Sequence, residues 1–156
     1  MLIFNQHFLP HKASPTNSFN HAQTATHFQT LIFQMAKILL VEDDRIVSRL
    51  IENLMQRKGH FIRTVADGRT ASEFVNNGWE IPDLVLLDLM LPFVDGFEIL
   101  SLIRANPRWE NVPIIMLTSK GQEKNIVRAF ELGANDYILK PFNREEVAVR
   151  IKQQIK

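Results

Sequence analysis

Residues 84–100 read LVLLDLMLPFVDGFEIL, and the fold can be worked out from this stretch in both directions. Leu84–Leu87 is a continuous apolar run, the pattern of a strand buried on both faces of a parallel sheet. It stops at a carboxylate, Asp88. Pro92 and Gly96 break the chain into a loop, and Phe97, Ile99, Leu100 and Ile103 then recur as one helix, with Pro107 beyond it. A buried strand, an acid at its end and a returning helix make one βα unit.

The unit recurs on both sides. Lys37–Val41 (KILLV) ends in Glu42-Asp43-Asp44, and Val47, Leu50, Ile51 and Leu54 follow at helical spacing until Gly59. Phe61–Val65 reads as a second strand, and a helix from Gly68 runs through Ala71, Phe74 and Val75 to Asn77-Gly78. Downstream, Pro113–Leu117 (PIIML) ends at Thr118, and a helix through Ile126, Val127, Phe130 and Leu132 stops at Gly133. Tyr137–Leu139 leads to Lys140-Pro141 and a last helix with Val147, Val149 and Ile151. Five strands alternating with five helices predict a doubly wound α/β chain. Its open, mostly parallel sheet is covered on both faces and has right-handed crossovers.

Composition sets the outer bounds. The chain has 156 residues, 46% of them hydrophobic and 22% charged, which suits one globular domain and not a disordered chain. A net charge of +1 gives no reason to expect nucleic acid or an acidic membrane as partner. There is no cysteine, which excludes disulfide frameworks and thiolate chemistry and agrees with a cytoplasmic location. Residues 1–35 differ from the rest: they hold no acid, one basic residue (Lys12) and four of the five histidines, His7, His11, His21 and His27. The irregular spacing of those histidines does not favour a metal site. Neither a secretory signal nor a membrane span is legible there. Residues 1–35 are expected to be a disordered extension, or sequence ahead of a true start at Met35, and residues 36–156 to be the domain.

The sheet dictates where chemistry belongs. In open α/β sheets ligands bind beyond the carboxyl ends of the strands, where the strand order reverses. The polar residues at those ends are Glu42-Asp43-Asp44, Asp88, Thr118-Ser119 and Lys140. Clustered carboxylates repel one another and are costly to bury unless a cation offsets them. Hard oxygen donors of this kind suit Mg²⁺ or Mn²⁺, which accept one or two carboxylates together with phosphate oxygens. A cation, an ammonium and a hydroxyl together match the oxygens of a phosphoryl group in transfer, and Asp88 is then the natural nucleophile. Plainer roles stand beside these. Asp44 reads as a helix cap, Thr118 alone as an ordinary strand residue, Lys140 alone as a solvated lysine, and Trp79 and Trp109 as structural.

Taken together, ILLVEDD, LVLLDLMLPFVDGFEIL, PIIMLTS and GANDYILKPF resemble the receiver domains of two-component response regulators across about residues 36–156. The resemblance implies a flavodoxin-like (βα)5 fold with strand order 2-1-3-4-5, as in stand-alone chemotaxis regulators. It implies that Asp88 is the phosphoacceptor and that Glu42 and Asp43 are the acidic pair. Asp43 would bind the metal directly, Glu42 mainly through water, and Met90 through its backbone carbonyl. Thr118 would be the switch hydroxyl, Tyr137 the aromatic that follows it, and Lys140 the phosphate-pairing lysine before a cis Lys140-Pro141 bond. Met90 and Lys120 would flank the path of the hydrolytic water. The implied donor is a sensor histidine kinase or phosphotransfer protein, and the implied output face is the fourth helix, fifth strand and fifth helix, with homodimerisation on phosphorylation.

The expected product is a phosphoacceptor switch that catalyses its own phosphorylation and dephosphorylation, not an enzyme acting on a separate substrate. Three other readings stay open. A haloacid-dehalogenase-type phosphatase needs a second acid two residues after the nucleophile, where this chain has Met90. A flavodoxin-type binder wants a Gly, Ser or Thr-rich loop after the first strand, where this chain has acids. A receiver-like scaffold that is never phosphorylated would not need the Glu42/Asp43/Asp88/Thr118/Lys140 set. No helix-turn-helix or basic patch is legible up to Lys156, so output is expected through another protein, without nucleic acid or membrane.

Overall fold

The computed structural model describes residues 35–78, 80–119 and 123–155. The readings of residues 1–34, Trp79 and Lys120 lie outside them. In chain order the elements are β1 (Lys37–Val41), α1 (Arg45–Arg57), β2 (Phe61–Val65), α2 (Gly68–Asn76) and β3 (Leu84–Asp88), then α3 (Gly96–Ala105), β4 (Ile114–Ser119), α4 (Glu123–Glu131), β5 (Asp136–Lys140) and α5 (Arg144–Gln154). The strands pair in parallel in the order β2-β1-β3-β4-β5. The order reverses between β1 and β3, as the resemblance implies.

Strand alternation divides the core into two layers. Leu40, Leu86 and Leu117 point to the face covered by Ile51 and Met55 of α1 and by Val147 and Ile151 of α5. Leu39, Val85, Leu87 and Met116 point to the opposite face, where Ala71 and Phe74 of α2, Leu100 and Ile103 of α3 and Ala129 of α4 close over them. All five residues of β3 are buried. This explains its uninterrupted apolar run: a central strand with helices on both sides has no wet face.

The helices start where short polar side chains can take their free N–H groups. Asp44 Oδ1 accepts from Ile46 N at 2.7 Å and Val47 N at 3.2 Å. Asp67, Asp95 and Asn143 do the same for Thr70, Glu98 and Glu146. Capping is thus the observed role of Asp44.

Two expectations shift. β4 and β5 run further than their apolar cores suggested, so that Thr118 and Lys140 lie within strands, in the pairs Thr118↔Leu139 and Ser119↔Lys140. Backbone pairing continues here past the last buried aliphatic residue. Val127 and Val149 belong to the apolar helical pattern in the sequence, yet they are 60% and 54% exposed. In α5 the buried stripe is Val147 and Ile151, four residues apart, which turns Val149 to the far side of the helix. In α4 Ala129 is the buried residue, and Val127 and Phe130 face outward.

Candidate functional site at the carboxyl end of the sheet

β1 and β3 are adjacent and parallel, with Val41 opposite Leu87, so the residues that follow them emerge side by side. Glu42 N donates to Val65 O at 3.0 Å, which holds the chain at the sheet edge for one residue beyond the strand. The Glu42 side chain is 1% exposed and Asp88 is 4% exposed, whereas Asp43 is open to solvent. Glu42, Asp43 and Asp88 each offer a carboxylate oxygen, and these oxygens lie within 4.8 Å of one another. From β5, Lys140 Nζ reaches 2.6 Å from Glu42 Oε2 and 3.1 Å from Asp88 Oδ1. The Lys140-Pro141 bond is cis.

The electrostatics follow from this crowding. Burial raises the Glu42 carboxyl above its ordinary range; Lys140 opposes the shift and Asp88 adds to it. Burial likewise raises Asp88, against the pull of Lys140 and a hydrogen bond from the Met90 backbone N–H. Burial works against the charge of Lys140 as well, but the carboxylates of Glu42 and Asp88 outweigh it and hold the ammonium above its usual value. Among the described residues, three carboxylates face this one ammonium. Glu42 Oε2 is buried and makes no hydrogen bond beyond its ion-pair contact with Lys140. The arrangement fits a divalent cation with oxygen preference, Mg²⁺ or Mn²⁺.

Neighbouring elements fix the acids. Asp44 N donates to Glu42 Oε1 at 3.1 Å, and Ser48 Oγ donates to Glu42 O at 3.2 Å, which ties the acidic turn to the first turn of α1. The loop after Asp88 closes on itself through Gly96 N to Leu89 O at 2.9 Å, and Gly68 N at the start of α2 reaches Pro92 O at 3.2 Å. A Cβ on Gly96 would sit 2.3 Å from Asp88 O, and one on Gly68 would sit 1.9 Å from Val94 O. Both positions therefore need glycine for close backbone approach. Met90, two residues after Asp88, is 65% exposed.

Thr118 is 4% exposed and opens onto a small cavity of about 10 Å³ that Tyr137 also lines. The Tyr137 ring is partly buried, edge-on to Phe130 at 5.9 Å, with the Arg150 guanidinium 5.5 Å from its centroid. Glu42, Asp43, Asp88 and Lys140 thus meet directly, while Thr118 and Tyr137 share a void beside them. Ser48, Gly68 and Gly96 escaped the sequence reading as parts of the site. A glycine at a helix start, eight residues after an acid, carries no visible sign that it packs against that acid's own carbonyl.

A flavodoxin-like sheet with a cation-ready acidic pocket at its switch point is the architecture of a signal-receiving domain. Residues 38–152 match the response regulator receiver domain family, and the chain belongs to it. It is 43% identical over 117 residues to the transcriptional regulatory protein ResD of Bacillus subtilis, covering 74% of this chain and 46% of that one. To the phosphate regulon transcriptional regulatory protein PhoB of Rhizobium meliloti it is 37% identical over 122 residues, covering 78% and 53%. Among solved structures it superposes, with a TM-score of 0.69 and 32% identity, on the receiver domain of the sensor histidine kinase PA1611 from Pseudomonas aeruginosa. That match covers 77% of this chain and 97% of the other, whose active site cleft coordinates a magnesium ion. The chain spans about half the length of the curated relatives it matches.

Proposed function

We propose that Asp88 accepts a phosphoryl group from a phosphohistidine on a sensor kinase or phosphotransfer protein, within a receiver domain formed by residues 36–156. The observation that carries this reading is the meeting of Asp88 with Lys140 at 3.1 Å inside a pocket of three clustered carboxylates. An Asp88 carboxylate oxygen attacks phosphorus, the P–N bond breaks, and the donor imidazole leaves with its electron pair and takes up a proton. Lys140 already lies beside the attacking carboxylate, where its ammonium can neutralise charge on the transferring oxygens. Asp43, Glu42, Asp88 and the Met90 carbonyl would hold Mg²⁺ or Mn²⁺, with Glu42 acting mainly through water. The cation, when bound, supplies electrophilic charge for the phosphoryl oxygens. The magnesium held by the PA1611 receiver domain and the clustering of three carboxylate oxygens here both support this.

Phosphorylation then draws Thr118 toward the new phosphate, and Tyr137 moves into the space beside it. The face formed by α4, β5 and α5 changes for a protein partner or a second copy. The small void shared by Thr118 and Tyr137 supports that coupling. The relatives named as transcriptional regulators point to gene control as one output, reached through whatever segment or protein reads this face. No helix of the described residues is long and apolar enough to cross a membrane, and a cytoplasmic setting fits a kinase-fed switch. The test is phosphorylation by acetyl phosphate, read by intact mass. One phosphoryl group should be gained with Mg²⁺ present, and almost none with chelator. Metal-independent labelling would remove the cation from the mechanism.

A further inference from the structure

The helical serines of the described residues do not all use their hydroxyls alike. Ser72 Oγ donates to Gly68 O at 2.8 Å and Ser101 Oγ to Phe97 O at 2.9 Å, each four residues back in its own helix. That is the usual bond of a serine inside a helix. Ser48 Oγ instead leaves its helix and donates six residues back, to Glu42 O at 3.2 Å. The Ser48 backbone N–H still takes Asp44 O at 2.9 Å, so the helix itself is undisturbed. Ser48 is buried, together with Ile51 and Met55 of α1.

The accepting residue is anchored at each of its polar atoms. Glu42 N donates to Val65 O at 3.0 Å, Glu42 O takes the Ser48 hydroxyl, Oε1 takes Asp44 N at 3.1 Å, and Oε2 meets Lys140 Nζ at 2.6 Å. Asp43 comes next in the chain. Its side chain is exposed, yet it keeps a carboxylate oxygen within 4.8 Å of those of Glu42 and Asp88. A peptide unit is planar, so the direction of the Glu42 carbonyl fixes where the Asp43 Cα stands. Turning that carbonyl would swing Asp43 with it.

We propose that Ser48 is a positioning residue for the divalent cation. Its hydroxyl locks the Glu42–Asp43 peptide and so holds Asp43, the direct ligand, in range of Asp88. The proposal rests on the cation reading given above. A group that orients a metal ligand commonly sets tenfold or more in affinity without touching the ion.

The test is a titration of the full chain with Mn²⁺, the free ion being read by electron paramagnetic resonance. It compares wild type, Ser48→Ala, Asp43→Asn and the double variant. Ser48→Ala should bind Mn²⁺ about tenfold more weakly. In the Asp43→Asn background the same change should cost less than about twofold, because the carboxylate through which Ser48 acts is already gone. A hydroxyl with a merely structural role would cost the same factor in both backgrounds. Metal-free Ser48→Ala should melt within about 5 °C of wild type, since alanine is the better helix former and offsets part of the lost hydrogen bond. The proposal alone is overturned by unchanged affinity in Ser48→Ala, by equal losses in the two backgrounds, or by a Ser48→Ala chain that does not fold. Absence of Mn²⁺ binding by the wild type overturns the cation reading, and the proposal falls with it.

Discussion

At the scale of single residues, the pocket separates neighbours that look alike in sequence. Asp43 and Asp44 are adjacent acids, but Asp43 belongs to the carboxylate trio and Asp44 spends its oxygen on the amides of Ile46 and Val47. Asparagine caps a helix about as well as aspartate. Asp44→Asn should therefore leave both melting temperature and Mg²⁺ affinity near wild type, while Asp43→Asn loses a charged hard ligand and should bind Mg²⁺ more weakly by about tenfold or more. Isothermal titration of the two variants separates them; equal losses would put the acidic pair out of register. Met90 carries a separate prediction. It is exposed, and its thioether is a poor group for orienting a hydrolytic water, so the phosphoryl group on Asp88 should be comparatively long-lived. Met90→Asn, with an amide able to hold that water, should speed the decay of labelled protein. Unchanged decay would show that another group sets the lifetime.

At the scale of elements, two connections make testable demands. The turn from β3 into α3 runs so close to Asp88 that a methyl group on Gly96 would collide with backbone, which cannot swing aside. Gly96→Ala should cost about 3 kcal/mol, a fall in Tm on the order of 10 °C by thermal melting. The turn from α1 into β2 carries a pH dependence. Ala36 N donates to His60 Nδ1 at 3.2 Å, which requires a neutral imidazole, and burial followed by the charge of Lys58 lowers the His60 pKa below 6.5. The unfolded chain thus binds a proton more readily than the folded one. This contribution to stability is complete above pH 6.5 and fades as pH falls through that value toward the lower folded pKa. His60→Asn, whose Oδ1 can take the same amide, should flatten the melting-temperature profile between about pH 7 and pH 5. An unchanged slope would assign the effect elsewhere.

At the scale of the whole molecule, the order β2-β1-β3-β4-β5 brings together acids from separate βα units, and much of this was legible in the chain. The buried run Leu84–Leu87 identifies a central strand because only a strand covered on both faces avoids polar residues altogether. Asp88 and Lys140 are legible because they close such runs with charge. What stayed hidden depends on distance across the fold. Ser48 looks like any helix serine until its hydroxyl is seen on Glu42 O, and Trp109 reads as structural with nothing to show that the fold buries it completely. Val127 and Val149 mislead in the other direction, since periodicity cannot tell a core-facing valine from one on a face open to solvent or a partner. The central claim is that Asp88 itself carries the phosphoryl group. It is tested most directly by phosphorylating the chain with acetyl phosphate and Mg²⁺, trapping the acyl phosphate by borohydride reduction, and mapping the reduced residue by peptide mass spectrometry. A single modified position, 88, absent from Asp88→Asn, is the predicted result. A reduced residue elsewhere, or labelling that survives in Asp88→Asn, would contradict it.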